Sequence, residues 1–314
     1  VDGTLIVGVD GSQAALRALD WAADEAVRGG FPLRIVHASG WEWYEGHEPS
    51  FGINRDAVRA QADRVLEEAA DRVRARTGSV VVASEVLDED PAAALIGESR
   101  RAAGVIVGSR GRGRLAGLLL GSVSLSVAAH APCPVTVVRG GEQNLRGGFG
   151  RVVVGVDEAA GDGAAGSGAA VGFAVRAARW RGAELLAVHA WRRRAGTPTS
   201  TSGSTSTSTS APADTSASAP ASGSEPAADP RRLRAEHELD NALHAAVRAH
   251  GAVDVRREAV EGQARAALLD ASATADLLVV GARRRAGHTG LQLGPVNHAV
   301  LHHAACPVTV VPHA

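Results

Sequence analysis

Apolar residues along this chain form short continuous runs, separated by stretches in which they recur every three or four positions. Leu5 to Val9 is a continuous run ahead of Asp10-Gly11, the pattern of a strand buried on both faces. Ser12 is placed to cap a helix whose Leu16, Leu19, Ala23 and Val27 follow helical spacing until Gly29-Gly30 stops it. Leu33 to Ala38 reads as a second strand. Val58, Ala62, Val65, Leu66, Ala69 and Val73 share one face of a long helix, and Val80 to Val86 reads as a third strand. Asp90-Pro91 is a cap and first-turn pair for the next helix. A fourth strand at Val105 to Val107, a helix from Ser122 and a fifth strand from Pro134 to Val138 complete the series. Strands alternating with helices predict a doubly wound parallel sheet, whose ligands lie at the carboxyl ends of the strands near the switch in strand order.

The series then repeats. Leu5-Ile6-Val7-Gly8-Val9-Asp10 returns as Val152-Val153-Val154-Gly155-Val156-Asp157, and Val36-His37-Ala38 as Val188-His189-Ala190. Val105-Ile106-Val107-Gly108 returns as Leu278-Val279-Val280-Gly281, and Cys133 to Val138 as Cys306 to Val311. Both of the last two pairs are offset by 173 positions (281 − 108 and 306 − 133), against 147 for Gly8 and Gly155. The second copy is therefore expanded, first between Gly161 and Gly168 and then more heavily after its second strand. Thr197 to Pro230 is built of Ser, Thr, Ala and Pro with almost no large apolar residue, and a disordered spacer loop is expected there. The expected division is a first domain at 1–140, a linker at 141–150 and a second domain at 151–314.

Composition narrows the function. The 314 residues suffice for two domains of ordinary size, and aromatics at 3% leave the core to Val, Leu, Ile and Ala. The formal net charge of −1 gives no general attraction for nucleic acid. Every basic side chain among the 33 is Arg, so no P-loop exists and Walker-type ATPases and GTPases are excluded. No apolar run approaches the roughly 20 residues of a membrane span, and with only Cys133 and Cys306 there is no disulfide framework. A cytoplasmic protein is expected.

The stretch that carries chemistry follows the fourth strand, at Gly108-Ser109-Arg110-Gly111-Arg112-Gly113-Arg114, with a helix resuming at Gly121-Ser122-Val123-Ser124. Glycines permit close backbone approach, a helix start offers free N–H groups, serine hydroxyls add donors and arginines add charge. That equipment suits a di- or triphosphate, although the spacing alone equally suits an arginine-decorated surface loop. A dinucleotide fingerprint is excluded by context, because it would follow the first strand.

The motif Gly108-x-x-Gly111, nine residues, Gly121-Ser122 resembles the nucleotide signature of the universal stress protein family. Val7 to Ser12, Val36-His37-Ala38 and His130 to Val135 resemble the same family, and the likeness covers both repeats. The resemblance implies an α/β fold of two tandem doubly wound five-stranded sheets, of the adenine nucleotide alpha hydrolase-like type. It implies an ATP site, with Val9 among its residues, in which Asp10 bonds the adenosine end and the backbone at Gly8 and Ala38 lines the adenine slot. Val107, Gly108, Arg110 and Gly111 would wrap ribose and phosphates, and Gly121, Ser122, Val123 and Ser124 would bind phosphate oxygens, with Mg²⁺ accompanying them. It further implies that the last strands of the two domains pair edge to edge, within one chain or in a homodimer.

The second copy departs from the motif. Arg284 stands where the second Gly belongs and Pro295 where the Ser belongs, so Gly155, Asp157, Ala190, Gly281 and Gly294 outline at most a weak second site. His298, His302, His303 and His313 cluster in sequence without a carboxylate or Cys to complete a ligand set, and surface histidines rather than a metal site are expected. The leading functional expectation is an ATP-binding stress-response regulatory protein. A slow ATP hydrolase or nucleotidyl or phosphoryl transferase, and a scaffold with a vestigial nucleotide site, remain the alternatives.

Overall fold

The first apolar run forms β1 (Thr4–Gly8), in which Leu5, Ile6 and Val7 are all buried. A computed structural model describes residues 3–38, 55–111, 120–157, 165–192, 229–284 and 291–313. Helix α1 (Gln13–Gly29) starts where Ser12 Oγ accepts from the Ala15 amide at 3.2 Å and ends at Gly30 in the left-handed region. Then follow β2 (Leu33–Ala38), α2 (Arg55–Arg76), β3 (Val82–Leu87), α3 (Pro91–Glu98), β4 (Ala102–Gly108), α4 (Ser122–His130) and β5 (Val135–Val138). Asp90 caps α3, accepting from the Ala92 and Ala93 amides at 2.9 and 3.0 Å.

The second half repeats the plan: β6 (Arg151–Gly155), α6 (Ala165–Arg181), β7 (Glu184–Trp191), α7 (Pro230–His250), β8 (Val255–Glu261), α8 (Ala264–Ser272), β9 (Leu277–Arg284), a short β10 (Leu291–Gln292), α9 (Pro295–His303) and β11 (Val308–His313). Between the halves lies α5 (Glu142–Leu145). The segment expected as a plain linker is therefore docked. Buried Asn144 donates to the Ala275 carbonyl at 2.8 Å, and Asp276 accepts from the Phe149 and Arg151 amides at 3.0 Å each. Pro230, placed at the end of the spacer from sequence, is the first residue of α7, capped by Asp229. The rest of that spacer, apart from Asp229, lies outside the described residues.

The two halves share one sheet in the order β3-β2-β1-β4-β5-β11-β9-β6-β7-β8, with β10 hairpinned onto β9. Every neighbouring pair in that order is parallel except β5 with β11, which run antiparallel with Thr136 opposite Thr309. Strand residues alternate between two cores. Val7, Ile35, Val154 and Val279 face α1, α2, α6 and α7, whereas Ile6, Val107, Val153 and Val280 face the α3, α4, α8 and α9 side. No helix among the described residues is long and apolar enough to cross a membrane.

The seam has one polar contact at its centre. Thr136 Oγ1 and Thr309 Oγ1 lie 2.8 Å apart, and both residues are buried. Thr136→Val orphans the second hydroxyl and is expected to cost about 1–3 kcal/mol, whereas Thr136→Val with Thr309→Val removes both partners and is close to neutral. Urea denaturation of the two variants checks this; equal losses would mean that the hydroxyl pair is not what the seam depends on.

Candidate functional site

Strand order switches direction between β1 and β4, so the helices that follow their carboxyl ends splay to opposite faces and leave a crevice. A cavity of about 330 Å³ occupies it. Every first-copy residue that the family resemblance assigned to the site lies on its wall. Gly8, Val9 and Asp10 come from the end of β1 and Ala38 from β2, while Val107, Gly108, Arg110 and Gly111 come from the end of β4. Gly121, Ser122, Val123 and Ser124 come from the start of α4. Arg112, Gly113 and Arg114 lie outside the described residues.

Packing explains the glycines. A Cβ on Gly108 would sit 2.7 Å from the carbonyl carbon and oxygen of Ala14, so the first turn of α1 presses directly on the end of β4. A Cβ on Gly111 would come 2.7 Å from Asp10 Oδ2, which places the carboxylate against the backbone of the loop after β4. The other oxygen, Asp10 Oδ1, accepts from the Ser12 amide at 2.9 Å. The helix-entry role of Asp10 and its place on the cavity wall therefore coexist.

Besides the side chains of Asp10, Arg110 and Ser122, two sets of backbone groups face the cavity. The first is the start of α4, where Leu125 is the first residue to donate back into the helix, to the Gly121 carbonyl at 3.0 Å. The amides of Ser122, Val123 and Ser124 precede that bond, and no side chain caps them. The second is the backbone of Ala38. The Val36 carbonyl accepts from the Val9 amide at 2.9 Å. In a parallel ladder the residue two further on points its N–H and C=O to the same side. Ala38 thus offers a donor and an acceptor past the end of β1, where the cavity opens.

Three features were not read from the sequence. Ser124 was expected to give its hydroxyl to phosphate, yet Ser124 Oγ donates to the Gly108 carbonyl at 2.6 Å in a buried bond. Its proton is committed to tying α4 to β4, which leaves Ser122 as the hydroxyl donor. His37 Nδ1 lies 2.7 Å from the Val9 carbonyl and donates to it, pinning the chain just past β1. The motif repeat signalled that His37 mattered without showing how. Finally, Ala15, Val36, Pro91, Leu95 and Leu120 supply an apolar wall; the Asp90-Pro91 cap located α3 but not the side it presents.

The second half has a corresponding cavity of about 290 Å³, and Gly155, Asp157, Ala190, Gly281 and Gly294 all line it. His189 Nδ1 is 2.9 Å from the Val156 carbonyl, and Val156 donates to the Val188 carbonyl at 2.9 Å, as in the first half. Asn297 takes the place of Ser124, donating from Nδ2 to the Gly281 carbonyl at 2.9 Å. The far end is different. β4 and β5 stop pairing at Gly108 and Val138, but β9 and β11 continue through Pro312 opposite Ala282 and His313 opposite Arg283. His313 consequently leaves the other histidines and enters this cavity. His298, His302 and His303 remain together on α9, with ring centroids 6.3 and 6.1 Å apart in succession. Burial and Arg283 hold the His313 imidazole below its usual range, opposed by Asp157.

Cys133 and Cys306 are buried, and burial raises both thiols to about 12, so neither is a thiolate at neutral pH. No group of three or more His, Cys, Asp or Glu able to hold a metal exists among the described residues.

The model of the universal stress protein family matches twice, at residues 3–139 and 148–312. A universal stress protein of Mycobacterium tuberculosis is 32% identical over 317 residues, spanning 98% of this chain and 96% of the relative. A crystal structure of a universal stress protein from Archaeoglobus fulgidus superposes with a TM-score of 0.65 at 18% identity, covering 99% of this chain and 98% of that one. A universal stress protein crystallised in complex with cAMP is 29% identical, covering 43% of this chain and 95% of that one with a TM-score of 0.34. The chain therefore belongs to the universal stress protein family, as a tandem of two of its domains.

Proposed function

We propose that this chain is an ATP-binding stress-response regulator that senses or carries adenine nucleotide in its first unit, residues 1–140. The second unit, residues 151–314, serves mainly as its fixed partner, joined through 141–150. The observation that carries this reading is the convergence of three kinds of group on one cavity. The uncapped amides of Ser122, Val123 and Ser124 suit phosphate oxygens, the Asp10 carboxylate suits ribose hydroxyls, and the Ala38 backbone offers a donor and an acceptor. Adenine has the matching edge, an acceptor at N1 beside a donor at N6, and the apolar wall suits its faces. Arg110, exposed at the mouth, adds positive charge. Mg²⁺ would enter on the phosphates, since Asp10 is the one carboxylate among the described lining residues. The same fact favours binding over efficient phosphoryl transfer, which needs a held metal and an oriented nucleophile.

Calorimetric titration of the nucleotide-stripped chain with ATP and Mg²⁺ is expected to give one site per chain. Losing charge-assisted hydrogen bonds at Asp10→Ala is expected to weaken it about 10- to 100-fold, given roughly 1.5–3 kcal/mol for a bond to a charged group. Asp10→Asn, which keeps an oxygen for the Ser12 amide, separates the loss of charge from disturbance of the helix start. Unchanged affinity in both variants would overturn the assignment.

A further inference from the structure

The second cavity keeps one end of the first and loses the other. At the retained end, Gly155, Val156 and Asp157 follow β6 as Gly8, Val9 and Asp10 follow β1, and Val188, Ala190, Leu268 and Val280 stand where Val36, Ala38, Leu95 and Val107 stand. The Val156–Val188 hydrogen bond again turns the N–H and C=O of Ala190 past the strand end into the cavity. A slot with apolar walls, a backbone donor–acceptor pair and a carboxylate beyond it is therefore intact.

The lost end is lost in three independent ways. Pro295 opens α9 and has no N–H, leaving the Val296 and Asn297 amides ahead of the first helical bond, from His298 to Gly294 at 3.0 Å. Where the first copy turns at Ser109 to Gly111, β9 continues as strand to Arg284 and is covered by its hairpin with β10. Where the first copy leaves the sheet at Gly140, β11 runs on and sets His313 into the cavity beside Arg283. Both ring nitrogens of His313 are buried and make no hydrogen bond of good geometry among the described residues, with the Val311 backbone as their near polar neighbour.

We propose that the second cavity is a binding site for a nucleoside without phosphates, distinct in ligand from the first. The proposal rests on the nucleotide reading of the first cavity for the correspondence of the two slots. A flat base enters between Val188 and Leu268 with its edge on Ala190, and the ribose diol donates to Asp157. The His313 imidazole, an acceptor and a donor at once, meets the 5′-hydroxyl that in the first cavity would carry phosphate. A nucleotide is disfavoured there because its phosphates find two amides instead of three and a strand where the loop should be.

The test uses the full-length, nucleotide-stripped chain, first saturated with ATP and Mg²⁺ and then titrated with adenosine, guanosine, cytidine or uridine. One further site per chain is expected for at least one nucleoside, weakened at least about tenfold by Asp157→Ala, with an unchanged melting curve showing that the variant folds. His313→Ala is expected to weaken the same site while the titration with ATP alone still gives one site. A second ATP site that disappears in Asp157→Ala would overturn the proposal and leave the first-cavity reading standing. Absence of nucleoside binding to the ATP-loaded chain, or nucleoside binding indifferent to Asp157→Ala, would also overturn it. Failure of ATP to bind anywhere is a separate result and counts against the first-cavity reading alone.

Discussion

Glu25→Ala is expected to cost the chain about 3–5 kcal/mol of stability, the usual consequence of leaving one member of a buried ion pair alone. Glu25 on α1 is the point where the helix layers of the two halves meet. It pairs with Arg181 of α6, accepts from Trp180 Nε1 at 2.7 Å and has Arg28 at 3.6 Å. The Arg181 side chain is 5% exposed and its guanidinium lies over the Trp21 ring at 5.2 Å, so little water reaches it. Burial pushes its pKa down and Glu25 opposes that. Without Glu25 the guanidinium keeps its desolvation penalty with only the weaker pull of Asp276 and Asp24 against it, and the Trp180 N–H loses its acceptor. Glu25→Leu combined with Arg181→Leu removes the penalty with the pair and is expected to recover most of the loss. Guanidinium denaturation of single and double variants decides the matter; a double variant as unstable as Glu25→Ala would mean that shape, not charge, holds the two helices together.

Gly140→Ala is expected to be of similar size, about 2–5 kcal/mol, adding a left-handed backbone cost of roughly 1–2 to an overpacking cost of roughly 1–3. Gly140 follows β5 with φ at +97°, and an added Cβ would fall 2.0 Å from the Ala305 carbonyl oxygen. The obstacle is backbone of the other half, just ahead of β11, so no side-chain rotation relieves it. Relief requires the chain leaving β5 to move away from Ala305, which loosens the seam. The effect should appear as a lower urea midpoint with an unchanged slope; a shift worth less than about 1 kcal/mol would mean that the two segments separate at this point without penalty.

Much of this organisation was readable in the sequence because it depends on periodicity and repetition. The continuous runs gave the central strands, the caps Ser12 and Asp90 gave helix starts, and the duplicated motifs gave two crevices at corresponding places. The limits have physical causes. On α1 the periodic reading took Leu16, Leu19, Ala23 and Val27; Leu19 and Ala23 are buried, yet Val27 is 48% exposed, and Ala15, Ala18, Ala22 and Ala26 fill the rest of the buried face. Alanines form that core face because small side chains let the helix lie close to the sheet, and a scale of hydrophobic bulk undervalues them. The third strand was read from Val80 but begins at Val82, since an edge strand is delimited by its single neighbour β2. Ser124 looks like any helix-start serine until the carbonyl of Gly108 is seen against it. His313 belonged with its sequence neighbours until β11 proved two pairs longer than β5, a difference made by tertiary pairing rather than by local preference.

The antiparallel seam between β5 and β11 has a consequence for how the two halves can change. Two separate domains joined along such an edge would part on dilution, and each would be held to whatever surface and ligand site the other required. Within one chain the second partner is always present, at an effective concentration in the millimolar range for a short connection, whatever the amount of protein in the cell. The docking half of the bargain is thus met by connectivity. The second copy is released to open α9 with Pro295 and to lengthen β9 and β11, while the first keeps the uncapped start of α4 at the mouth of its cavity.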